Sequence, residues 1–219
     1  MRLCEGVSAS ARQFLKFQDL SGENKRLNVE LDLLKVELRR LEEAHLENQR
    51  LRALLSLPQQ ELYDAEAALL IGKDSSNWTQ VAIINKGTSS GIKRGMPAVL
   101  GANLAGRVIE AHPFVSKVAL IVDCNSKIPA KILRSREEGI VFGTVEGGRA
   151  ICKMKYLQGT VEIGDEIISS GLGEIYPKGL SIGKVSAVEE DKDELYKIAE
   201  ITPAVDFSSL EELMIITNQ

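Results

Sequence analysis

The sequence predicts a mainly β protein with an N-terminal α-helical coiled coil, its β portion divided into two small β-barrel/sandwich-like subdomains. Three observations predict it. Residues 20–57 carry leucines in an alternating 3-4 spacing, with no Pro or Gly between Glu23 and Leu57. Beyond Pro58 the period changes to short runs rich in Val and Ile, broken by glycine turns. Within that β portion one glycine-anchored pattern occurs twice.

Taken in order, residues 1–20 form a short N-terminal segment in which Phe14, Phe17 and Leu20 recur at helical spacing. Residues 21–57 are the predicted coil, and Leu, Glu, Lys and Arg dominate them, all strong helix formers. With Leu20, Leu27, Leu34 and Leu41 at position d of a heptad, position a holds Asn24, Leu31, Leu38 and His45. So narrow an apolar stripe needs a second helix, and an Asn at a favours a two-stranded coil in fixed register. The competing reading is a helix packed on its own β region. Pairing Glu30 with Lys35 across a dimer favours the parallel arrangement over the antiparallel one, weakly, because exposed pairs contribute only ~0.2–1 kcal/mol. Near Leu41 the phase shifts to Leu41, Ala44, Asn48, Leu51 and Leu55, a three-residue stammer that overwinds a coil. The interface expected from both phases is Leu20, Asn24, Leu27, Leu31, Leu34, Leu38, Leu41, Asn48, Leu51 and Leu55. Pro58 ends the helix, after about 54 Å at ~1.5 Å per residue from Gly22.

The β portion divides into residues 58–138 and 139–219, with terminal strands able to cross between the halves. Strands are expected at 65–71, 78–85, 104–111, 117–122, 128–133, 140–145, 149–154, 166–168, 182–188, 196–201 and 214–216. No helical stretch separates them, which argues against a parallel α/β sheet. The repeat reads Gly91-Ile92-Lys93-Arg94-Gly95-Met96-Pro97-Ala98-Val99 followed by Gly106-Arg107-Val108. It reads again as Val161-Glu162-Ile163-Gly164-Asp165-Glu166-Ile167-Ile168 followed by Gly183-Lys184-Val185. The second copy has a longer insert, residues 169–181. Two related subdomains, or a chance likeness between β-turns, would produce it.

The totals exclude several classes. A net charge of −4 without a block of like charge speaks against nucleic acid, which needs a basic face. Cys4, Cys124 and Cys152 are too few and too widely spaced for a disulfide framework or a zinc site. His45 and His112 stand in no metal-ligand pattern. Ser169-Ser170-Gly171 is not a nucleophile elbow, and Gly87-Thr88-Ser89-Ser90-Gly91 lacks the lysine of a phosphate loop, so both read as turns. The acidic run 189–194 reads as a solvated hairpin tip, and Trp78 as core or an interface anchor. No catalytic residue, cofactor, metal site or small-molecule ligand is expected. No segment reaches the ~18 apolar residues of a membrane span, and the first twenty residues are too charged for a signal-peptide core.

One family unites these features. The coil with Glu47-Asn48-Gln49-Arg50-Leu51-Arg52-Ala53-Leu54-Leu55 leads into glycine-rich β-structure, as it does in the bacterial rod shape-determining protein family MreC. More specific are Gly164-Asp165-Glu166-Ile167-Ile168-Ser169-Ser170-Gly171, Tyr176-Pro177-Lys178-Gly179-Leu180 and Gly183-Lys184-Val185, supported by Leu104-Ala105-Gly106-Arg107-Val108, Trp78 and Asn85-Lys86-Gly87. The sequence resembles that family over residues 20–217. The resemblance marks Gly106, Gly164, Asp165, Gly171, Pro177, Gly179 and Gly183 as signature turns. It implies a non-enzymatic scaffold of the cell-wall elongation machinery, dimeric through its coil and able to form filaments. The implied location is the outer face of the inner membrane. The implied partners are MreD, the elongation transpeptidase (a penicillin-binding protein), the glycosyltransferase RodA, and MreB across the membrane. The family's N-terminal membrane helix has no counterpart in this sequence, and an upstream start or a trimmed chain is the expectation. Two rival readings are a periplasmic adaptor of an efflux or secretion complex, which needs a returning helix, and a cell-wall hydrolase with a coiled-coil appendage, which needs a converging catalytic site.

Overall fold

A computed structural model describes residues 23, 25–44, 46–47, 50, 63–75, 80–146, 149–173, 175–190 and 196–217. Leu20, Asn24, His45, Asn48, Leu51, Leu55 and Trp78 lie outside these residues, as do the stammer beyond Ala44 and most of the acidic tip. The chain forms two units, Met1–Glu61 and Leu62–Gln219.

In the first unit, helix α1 covers residues 25–44, about 30 Å at ~1.5 Å per residue. Every described residue of it is exposed. Lys35 Nζ lies 3.3 Å from Asp32 Oδ1, one turn away and fully in solvent, which adds little to stability.

The second unit is built of twelve strands: β1 (Ala65–Ser75), β2 (Gln80–Ile84), β3 (Pro97–Leu100), β4 (Asn103–Ala111), β5 (Ser116–Leu120), β6 (Lys127–Ile132), β7 (Glu138–Glu146), β8 (Arg149–Leu157), β9 (Glu166–Ser169), β10 (Ser181–Glu190), β11 (Lys197–Pro203) and β12 (Glu212–Ile216). Eleven of them fall on the expected segments. The additional one, β3, opens on Pro97, whose missing N–H hides it from a pattern reading.

Ladder hydrogen bonds close the strands into two circuits. The first runs β12-β1-β2-β5-β4-β3 and returns from β3 to β12. The second runs β6-β7-β8-β11-β10-β9 and returns from β9 to β6. Closure removes open sheet edges. The circuits meet through one parallel bridge, Ser181 opposite Asn103. β6 therefore lies in the second circuit, ahead of the expected division at 138/139, and β12 returns from the chain's end to complete the first.

The physical reason for that division is the connector, residues 121–126. The Asp123 carboxylate, 2% exposed, accepts the Gln80 N–H of β2 and the Asn125 N–H, each at 2.8 Å. On the other side, Cys152 Sγ donates to the Ile121 carbonyl at 3.4 Å. A side chain at Gly143 of β7 would strike the Val122 backbone at 2.3 Å. The connector is thus a buried strap fixed to both circuits, and buried residues of both form one continuous hydrophobic cluster. Burial pushes the Cys152 thiol up to about 12, so it serves as a small core residue.

Candidate interaction surfaces

The first surface is the stripe on α1. Leu27, Leu31, Leu34, Leu38 and Leu41 share one face and are 51–64% exposed. Such a row of solvent-exposed leucines is a candidate contact surface. Sequence reasoning missed a second, shorter row, Val29, Leu33 and Val36, about half a turn around the helix and equally exposed. Its 4-3 spacing was visible but fell on heptad positions c and f, where a two-stranded coil makes no contact.

The signature turns form a second constellation. The Asp165 N–H donates to the Glu162 carbonyl at 3.1 Å, closing a turn with Gly164 at φ +92°. Only glycine occupies that left-handed corner without strain. The Asp165 carboxylate accepts Arg134 Nε at 2.7 Å, Arg134 Nη2 at 2.9 Å and the Glu162 N–H at 2.9 Å. Arg134 also meets Glu162 Oε1 at 3.1 Å. This pins the β6–β7 turn to the start of β9.

The two repeat copies have the same geometry, bond for bond. Gly95 N–H donates to the Val108 carbonyl and Gly164 N–H to the Val185 carbonyl, both at 2.8 Å; the return bonds run from Val108 N–H to Met96 and from Val185 N–H to Asp165, both at 2.9 Å. Where Asp165 Oδ2 accepts the Glu162 N–H, Met96 Sδ accepts the Lys93 N–H at 3.1 Å. Both circuits also skip a residue at matching places, Ala105 of β4 against β3 and Ile182 of β10 against β9. Gly106 and Gly183 occupy equivalent positions. A Cβ on either would lie 2.2 Å from the carbonyl oxygen of the neighbouring strand, Ala119 or Thr202.

Gly171, Pro177 and Gly179 shape the insert, 169–181. Ser169 is fully buried; its hydroxyl donates to the Pro177 carbonyl and accepts the Leu180 N–H. Gly171 and Gly179 take φ +82° and +95°. Ser169 and Ser170 thus serve as turn residues, with the Ser170 hydroxyl accepting the Leu172 N–H. The insert borders a cleft of about 610 Å³ that Tyr63, Gly171, Tyr176 and Lys178 help to line. Among the described residues no cluster of His, Cys, Asp and Glu could hold a metal ion, and beyond residue 62 there is no α-helix to form an adaptor's returning hairpin. No described helix is long and apolar enough to cross a membrane.

Arg134 holds the Asp165 carboxyl below the usual carboxylate range, with the Glu162 N–H adding to it. A carboxyl so lowered stabilises the fold above its unfolded pKa, about 4, and that contribution is lost as pH falls through the folded value. Asp165→Asn is expected to lower stability at pH 7 by about 1–2 kcal/mol. It should also flatten the acid limb of stability below pH 4, as read by urea melts at pH 2.5, 4 and 7. An unchanged acid limb would remove Asp165 from that role.

Comparison with known proteins adds to these observations. The family model "Rod shape-determining protein MreC, barrel core" matches residues 70–217. The cell shape-determining protein MreC of Escherichia coli is 29% identical over 217 residues, spanning 98% of this chain and 58% of that protein. Its counterpart in Bacillus subtilis is 30% identical over 208 residues, spanning 89% of this chain and 71% of that protein. A solved MreC from Listeria monocytogenes superposes with a TM-score of 0.76 at 25% identity, covering 90% of this chain and 96% of the other. The chain therefore spans somewhat more than half the length of its Escherichia coli relative.

Proposed function

The chain belongs to the MreC family of rod shape-determining proteins, and from that premise we propose that it is a dimeric, non-enzymatic scaffold of cell-wall elongation. Two copies pair through α1, and each presents its β circuits, acting as two subdomains, to peptidoglycan synthases. The observation that carries this reading is the exposed row Leu27, Leu31, Leu34, Leu38 and Leu41 on a chain whose β portion matches the family's barrel core. Pairing gives the partner two linked sites, and linked sites raise avidity without any new contact.

Partner choice is supported by a solved complex between a penicillin-binding protein and MreC from Helicobacter pylori, whose MreC shares this fold with a TM-score of 0.57 at 15% identity. By that analogy the elongation transpeptidase is the primary partner. MreD, RodA and MreB follow from the family as further members of the assembly. The scaffold works on the outer side of the inner membrane, in keeping with a solved relative described as the major periplasmic domain of the cell shape-determining filament MreC. Filament formation by this chain is a further step of the same assembly.

The test is binding of the purified chain to an elongation-type penicillin-binding protein fixed at high density on a sensor. Saturable binding is expected, with Leu34→Lys/Leu38→Lys weakening the apparent affinity at least about tenfold through lost avidity. Absence of saturable binding at about 100 μM, equivalent to roughly −5.5 kcal/mol, would remove the transpeptidase as the partner.

A further inference from the structure

Tyr176 is packed like a core residue, but its hydroxyl is not. The residue is only 4% exposed. Buried tyrosines ordinarily hydrogen-bond their O–H. Among the described residues the Tyr176 hydroxyl has no hydrogen-bond partner, and the one fully enclosed side-chain atom left unpaired is a different one, Ser116 Oγ. The Tyr176 ring is therefore covered while its oxygen stays open. It opens onto the cleft of about 610 Å³ beside the insert, which Tyr176 lines. That volume is in the range of small-ligand sites. Burial pushes the phenol above its ordinary pKa, against the opposing Arg107 charge, so it remains an O–H donor at neutral pH.

The cleft belongs to both circuits. The insert comes from the second. Tyr63, also a lining residue, comes from the first, just ahead of β1. Its neighbour Asp64 is tied to the end of β12, where the Thr217 N–H donates to the Asp64 carbonyl at 2.9 Å. Ile175 of the insert lines a second, smaller cleft with Ile216 and Thr217, so the insert reaches the same end of the first circuit. The chemistry of the larger cleft is one-sided. Lys178 brings an ammonium, and among the described residues no carboxylate lies within ion-pair distance of it. Its base packs on Gly171, where an added Cβ would lie 2.9 Å from Lys178 Cβ. The Ser170 hydroxyl accepts the Leu172 N–H at 3.2 Å, which leaves its own proton to donate. None of the described residues lining the cleft is acidic. The other walls are apolar: Pro177, and Leu172 at 53% exposed.

We propose that this cleft binds an acylated amino acid, free or as the C-terminal end of a peptide. The carboxylate is taken by the Lys178 ammonium and the Tyr176 O–H, and the apolar side chain lies on Leu172 and Pro177. A carboxylate only accepts hydrogen bonds, which suits a cleft of uncommitted donors. Its single charge matches the one cation, whereas a phosphate monoester, at about −1.5 to −2, exceeds it. Bonds to an ionised acceptor are the shorter and stronger kind. A ligand seated there touches both circuits.

N-acetyl-leucine is titrated into the full chain while the amide resonances of Gly171 and Leu172 are followed by nuclear magnetic resonance. Saturable shifts are expected with a Kd of roughly 1–10 mM, ordinary for a ligand of this size. N-acetyl-leucinamide lacks the charge and N-acetylglycine lacks the apolar group; each should bind at least about fivefold more weakly. Tyr176→Phe and Lys178→Met should each weaken N-acetyl-leucine by at least about fivefold, and Lys93→Met, in the other circuit's turn, should leave it unchanged. Tyr176→Phe should melt with the parent, because the hydroxyl it removes holds nothing else in the fold. A lowered melting point would show the hydroxyl committed within the fold and overturns the proposal. A tetrapeptide ending in leucine separates the sources: tighter binding than N-acetyl-leucine assigns a peptide end, and equal or weaker binding assigns the free acylated amino acid. No saturable shift, equal binding of the amide, or full affinity in either Tyr176→Phe or Lys178→Met also overturns it.

Discussion

Leu34→Lys/Leu38→Lys is expected to sediment as a monomer at concentrations where the parent chain is a dimer. The two leucines are each 57% exposed on α1, so their apolar surface is free to be buried by a second copy. Full burial of a leucine contributes about 1.5–3 kcal/mol, and a symmetric dimer contains four of these side chains. Lysine stems recover part of that by covering apolar surface while the ammonium reaches water. The net loss is then about 6 kcal/mol, or at least ~10⁴-fold in the dimer dissociation constant. Helical circular dichroism should fall with it, since a helix of about 20–30 residues is marginal when unpaired. The outer row provides the control: Val29→Lys/Val36→Lys leaves the dimer intact if the leucine seam is the interface. Dimers lost through the outer row and kept without Leu34 and Leu38 would reverse the assignment.

The second large effect is on the fold. Gly106→Ala and Gly183→Ala are each expected to destabilise the β unit by about 2–3 kcal/mol, a drop of roughly 5–10 °C in melting point. In both, the new methyl would meet a backbone carbonyl at 2.2 Å, on Ala119 or Thr202, and backbone cannot yield as a flexible side-chain end can. The two drops should be similar because the repeat copies share the same bonds and the same skipped residues. Gly91→Ala is a useful contrast: its φ is +80° but nothing lies within 4 Å of the added carbon. It should cost only the left-handed backbone penalty, about 1 kcal/mol. Thermal melts of the three variants check the ranking. Equal, small losses in all three would mean that the neighbouring strands move apart freely.

Much of this architecture was legible because it is written in local chemistry. The leucine spacing and the helix formers announce α1, and Val/Ile runs between glycines announce eleven of the twelve strands. The repeat was legible because Gly95 and Gly164 must both supply a left-handed turn and Gly106 and Gly183 must both admit a crossing carbonyl. Small barrels were expected, but which strands close them was not legible. That β12 lies between β1 and β3, and that β6 joins β9, are long-range pairings with no local signature. The division between circuits was missed for the same reason: the connector at 121–126 looks like an ordinary apolar strand end, and its strap role depends on Asp123, Gly143 and Cys152 meeting in three dimensions. Lys131 shows the limit most clearly. Its outward place in β6 alternates as a solvated position would, yet it is only 7% exposed.

The most direct test of the scaffold account is cell shape. The chain, fused to a membrane anchor and exported, is expressed in a rod-shaped bacterium depleted of its own MreC, beside Leu34→Lys/Leu38→Lys at equal level. The account predicts rods with the parent sequence and rounded cells with the monomeric variant. Rods sustained equally by the monomeric variant would contradict it.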